Sequence, residues 1–120
     1  MKQEEKELLK DLCARLPYEV KCDIEFDDGK VFHKRILMPI MIQDLKSCES
    51  LKAIKPYLFP LSSMTEEQKE EYDLICSMSM FDMSESDAMK LIDWLNKNHF
   101  DYRGLIPMGL AIDATGLNIY

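Results

Sequence analysis

The sequence predicts an α+β protein, a small antiparallel β-hairpin or three-stranded sheet packed against two to three helices. Three observations carry that expectation. Leu8, Leu9, Leu12, Cys13 and Leu16 recur at the spacing of one helix face. Val20, Cys22, Ile24 and Phe26 alternate with Lys21, Asp23 and Glu25, the period of a strand with one buried face. Thr65-Glu66-Glu67-Gln68 is a capping box, in which hydroxyl and side-chain amide satisfy each other's backbone N–H groups.

The first helix is expected from about Gln3 to Arg15. Glu4, Glu5 and Glu7 lie at its start and Lys10 and Arg15 near its end, which suits the helix dipole, and Pro17 stops it. The alternating strand then reaches Asp27-Asp28-Gly29, a chain reversal. A two-residue loop would set Ile24 opposite His33 and put polar groups on the apolar face. A three-residue loop with Gly29 left-handed sets Ile24 opposite Phe32 and Val20 opposite Ile36, and this bulged hairpin is preferred.

Pro39 ends the second strand, and a short helix is expected around Ser47 to Ala53. Lys55-Pro56-Tyr57-Leu58-Phe59-Pro60 reads as an extended connector or edge strand, because each proline pushes its predecessor into extended backbone. A second helix opens at Thr65, buries Tyr72, Ile75 and Cys76, and frays near Ser77 to Met80. A third opens at Ser84, with Ala88, Leu91, Ile92 and Leu95 sharing a face and Asn96 and Asn98 closing it. The last residues, Leu117 to Tyr120, are apolar enough to dock on the body.

Composition narrows the function. The 120 residues suit a single domain, 1–120, with 47% hydrophobic and 31% charged side chains. No apolar run approaches the roughly 20 residues that span a bilayer, and the mixed charges of residues 1–7 do not form a secretion signal. Residence in the cytoplasm is therefore expected. A net charge of -7 argues against direct nucleic-acid binding. Cys13, Cys22, Cys48 and Cys76 lack metal-ligand spacing and read as small buried apolar residues, so no metal or cofactor is expected.

Four stretches carry a resemblance: KDLCARLPY at 10–18, KPYLFPLSSMTEE at 55–67, DWLN at 93–96 and HFDYRGLIPMGLA at 99–111. Together they resemble a family of small proteins of gut anaerobic bacteria and of the prophages and mobile elements in their genomes. The ending from Ala114 to Tyr120 departs from the Pro-Glu-Gly-containing end associated with that family. The family has no assigned activity, so the resemblance implies a mobile-element setting and no mechanism.

Candidate chemistry meets simpler structural readings. His33 and Cys22 fall on opposite faces of the bulged hairpin, which separates a base from a thiolate. His99 sits where a cation suits a helix carboxyl end. The paired carboxylates Asp27-Asp28, Glu66-Glu67 and Glu70-Glu71 lie in a turn and on a helix start, where solvation is the default. Ser62-Ser63 lack the glycines and lysine of a phosphate loop. Met38 and Met89 are assigned to core filling.

Tyr57, Phe59, Trp94, Phe100, Tyr102 and Arg103 are of the types that concentrate in interface hot spots, with Arg103 pairing with Asp101 or another nearby carboxylate as the simpler alternative. The leading expectation is a non-enzymatic accessory protein that binds a host or element-encoded protein through this set. Three alternatives stand beside it: an acidic nucleic-acid mimic using Glu4–Glu7, Glu66–Glu71 and Asp82–Asp87, a small enzyme with an unrecognised site, and a homodimer built on the same aromatics.

Overall fold

A computed structural model describes residues 3–47, 51–78 and 85–120. Helix α1 spans Gln3–Arg15 and runs into a 3₁₀ turn at Leu16–Tyr18, where Pro17 cannot donate to a continuing helix. Glu19 leaves that turn in the left-handed region, φ 53°, and aims the chain into strand β1, Lys21–Phe26. Strand β2, Val31–Ile36, returns antiparallel.

The hairpin loop is the three-residue form: Phe26 N–H donates to Lys30 O at 2.9 Å, and Gly29 takes φ 90°. Ile24 faces Phe32 as the parity argument requires. Further along, Lys21 and not Val20 faces Ile36, because the register slips by one residue between Cys22 and Ile24. Lys34 absorbs the extra residue at φ 56°, held by its N–H donating to Asp23 Oδ1 at 3.2 Å. Ile36 therefore lies on the face opposite to the core.

Helix α2 occupies Pro39–Ser47, earlier than the expected turn of helix at Ser47 to Ala53. Pro39 is its first residue, a position where the missing N–H has no helical partner to lose. Strand β3 then runs through all of Leu51–Pro60 and lies inside the sheet, paired with β1 on one stretch and with two later strands on the next. Pro56 is tolerated there because it faces Cys22 at the last β1 pair, and pairing passes to Ile112 at Tyr57.

The helices α3, Glu66–Met78, and α4, Glu85–Lys97, follow. Both arms of the capping box form, with Thr65 N–H donating to Gln68 Oε1 at 2.9 Å and Gln68 N–H to Thr65 Oγ1 at 3.2 Å. Ser79, Met80 and Ser84 lie outside the described residues, as does Cys48. Two short strands, β4 (Phe100–Asp101) and β5 (Ile112–Asp113), pair parallel with β3, so the sheet is mixed and extends beyond the antiparallel three strands. Phe59 N–H donates to His99 O, and Leu58 O accepts from Ala114 N–H. The Leu58 C=O and the Phe59 N–H belong to one trans peptide group and point to opposite edges of the strand, so β4 and β5 flank β3.

The main core joins Leu8 and Leu12 of α1 to Val20, Cys22 and Ile24 of β1, Ile54 and Leu58 of β3, and Leu105. A smaller cluster on the other sheet face buries Tyr57, Ala114 and Ile119, so the carboxyl-terminal stretch does dock on the body. Met38 and Met89 are exposed, not core: Met38 lies in the link between β2 and α2, and Met89 sits on a solvent-facing position of α4. Cys22 is buried, while Cys13 is exposed and Cys76 half-buried.

Candidate functional site

Two regions merit inspection: the aromatic and Arg103 set at the carboxyl end of β3, and the outer edge of the hairpin. The first is organised around a buried ion pair. Arg15 Nε donates to Asp11 Oδ2 at 2.7 Å one helical turn away, and both side chains are fully buried. Arg15 Nη2 donates to Phe100 O at 2.5 Å, which ties α1 to β4. Burial pushes the Asp11 carboxyl up from its ordinary value, opposed by Arg15 and by the more distant Arg103.

Arg103 reaches Glu7 Oε2 and Asp11 Oδ1, each at 3.4 Å, and not Asp101. Asp101 is occupied otherwise: its two oxygens accept the N–H groups of Leu105 and Ile106, each at 2.9 Å. The guanidinium groups of Arg15 and Arg103 both stand 5.3 Å from the centre of the Tyr102 ring, whose hydroxyl donates to Asn96 Oδ1.

Of the six residues expected from the sequence, five gather in this region. Phe59, Phe100 and Trp94 form a chain of rings, with centroids 6.4 Å and 5.6 Å apart, and Trp94 Nε1 donates to Glu71 Oε2 at 2.9 Å. Tyr102 and Arg103 adjoin them. Tyr57 stands apart, donating its hydroxyl to Asp23 Oδ1. Phe100 and Tyr57 are buried, while Trp94, Tyr102 and Arg103 remain half-exposed. A small depression of about 180 Å³ beside them is lined, among the described residues, by Phe59, Ser63, Thr65, Gln68 and Phe100, with no carboxylate or histidine in that set.

The histidines differ. His33 Nδ1 lies 2.9 Å from Asp23 Oδ2 on the exposed hairpin. Burial alone raises the Asp23 carboxyl, but the hydrogen bonds from Tyr57, His33 and Lys34 N–H outweigh it and hold it below its ordinary value. Burial and then the negative charge of Asp23 push Tyr57 up to about 12. Cys22 is also raised to about 12, chiefly by burial, which leaves it an unreactive thiol.

His99 is not the helix-end cation that its position suggests. It closes α4 in the left-handed region at φ 61°, and its ring stacks on Tyr120 with centroids 3.7 Å apart. Burial, followed by the nearby Arg15 charge, depresses its pKa to about 4. Since the unfolded chain takes up this proton near 6.5 and the fold resists it until about 4, stability should fall as pH drops through that window. The raised Asp11 opposes this slope. His99→Asn, which keeps a residue tolerant of left-handed backbone, should flatten the decline seen in urea unfolding between pH 6.5 and 4. An unchanged slope would assign the titration elsewhere.

The second region is the edge strand β2, whose six residues are all exposed. Val31, Phe32 and Ile36 show 40%, 43% and 48% of their surface, and Met38 and Ile40 continue the apolar strip at 53% and 55%. These are residue types that ordinarily seek burial. The Phe32 ring meets Phe26 edge-on at 5.7 Å and carries the Arg35 guanidinium 5.5 Å from its centre. Among the described residues no strand pairs with the outer edge of β2.

No protein-family model, curated protein or solved structure matches this chain. The site thus rests on its own geometry. Sequence reasoning passed over β2 because it assigned Phe32 and Ile36 to a buried face. The signal available was the run Lys30 to Arg35, where cations interleave with apolar residues and no carboxylate appears.

Proposed function

We propose that this chain is a non-enzymatic protein-binding module that engages its partner along the free edge of β2. The observation that supports the reading is the exposure of that whole strand together with its apolar side chains, Val31, Phe32 and Ile36. An exposed apolar sheet edge is costly to maintain in a monomer and is a ready template for another chain. Among the described residues, Asp23 is engaged with Tyr57 and His33, Asp101 with two amides, and the His99 ring is stacked on Tyr120.

In the mobile-element setting that the sequence resemblance implies, the partner is a host or element-encoded protein. The half-exposed Trp94, Tyr102 and Arg103 form a second surface at the other end of β3. Affinity capture from the native host with the wild-type chain and three variants as baits separates the two. Val31→Glu combined with Ile36→Glu should lose the partner caught by the wild-type chain, while Trp94→Ala and Arg103→Glu should retain it. The reverse pattern would move the interface to the aromatic set.

A further inference from the structure

Resting on the reading of β2 as the binding edge, we infer that its occupant is an extended acidic segment of the partner, added to the sheet as a new strand. The backbone prepares this. Phe26 bonds to Lys30, and Leu37 N–H donates to Val20 O at 2.9 Å, so the alternation of an antiparallel ladder turns the peptide groups of the next residues, Val31 and Ile36, away from β1. Those groups stand free for a strand outside the present sheet.

Charge selects the strand. Lys30, Lys34 and Arg35 cluster on β2 and its approach, in a chain whose net charge is -7, and no carboxylate occurs between Asp28 and Asp44. Among the described residues no carboxylate lies within ion-pair distance of Lys34 or Arg35, and the Lys30–Asp28 pair is 3.9 Å long and exposed. An incoming acidic residue would therefore meet Lys34 and Arg35 as cations that no described carboxylate already neutralises.

The same features disfavour other occupants. A second copy paired antiparallel through β2 would bring these cations against their own images. A nucleic acid would need a larger cluster of cations than Lys30, Lys34 and Arg35 supply in a chain of net charge -7. The lysines are devices by which edges resist neutral strands, and an acidic strand is the one they attract.

The probe is a displayed library of random peptides, panned against the whole chain and against its Lys30→Glu/Arg35→Glu variant. The wild type should enrich peptides that alternate apolar and acidic residues. Their affinity should fall roughly tenfold in high salt and again on reversing the two cations, and N-methylation of alternate peptide groups should abolish it. The variant should enrich basic peptides. Neutral or basic peptides that bind the wild type and lose affinity with Val31→Glu/Ile36→Glu would overturn the acidic strand while leaving β2 as the interface. Peptides insensitive to that double variant would overturn both. A failure to enrich, preferential binding of a single-stranded oligonucleotide, or a concentration-dependent dimer broken by the β2 variants would each overturn the inference.

Discussion

Replacing Arg15 with methionine should destabilise the fold by about 3–5 kcal/mol, the largest loss expected from a single side chain here. Arg15 and Asp11 are wholly buried, and the guanidinium serves both the Asp11 carboxylate and the Phe100 carbonyl. Methionine fills much of the volume but leaves the carboxylate with only Arg103 at 3.4 Å and the carbonyl without its donor. An uncompensated buried charge costs far more than a pair is worth, so Asp11→Leu added to Arg15→Met should recover most of the loss. Urea midpoints at neutral pH measure both. A single-variant loss below about 1 kcal/mol would mean that the pair behaves like one at the surface.

This pair also shows what the sequence could and could not convey. The boundaries of α1 were legible because local chemistry determines them: acids early, bases late, and Pro17 beyond. That Arg15 turns inward was not legible, since its partners Phe100 and Tyr102 are brought alongside only by the parallel pairing of β4 with β3. The hairpin divides the same way. Gly29 announces the loop, whereas the bulge depends on Asp23 holding Lys34 N–H, a contact that forms only once the strands are paired. One residue of slip then turned Ile36 outward.

The aromatic set was partly legible for a related reason. Phe59, Trp94 and Phe100 do meet, but as a packed chain of rings that joins α4 to β3 and β4. Residue types common in interface hot spots are also those that bury the most surface inside a fold, so composition alone does not separate the two uses. Exposure does, and it favours β2, where the apolar residues are small in number and lie open along one edge.

The turn from Asp101 to Gly104 supports the second large effect. Asp101→Ala should cost about 2–4 kcal/mol, because its two carboxylate oxygens accept the N–H groups of Leu105 and Ile106, and a buried donor left unpaired costs about 1–3 kcal/mol. Leu105 is fully buried in the main core, so water does not readily replace the lost acceptor. Asp101→Asn, which keeps one carbonyl oxygen, should fall between wild type and alanine. Amide exchange at Leu105 and Ile106 should quicken in the same order, ahead of exchange in β1. Equal losses for the two variants, or protection at those amides that does not change, would show that the turn is held by Gly104 at φ 73° and its neighbours and not by the carboxylate.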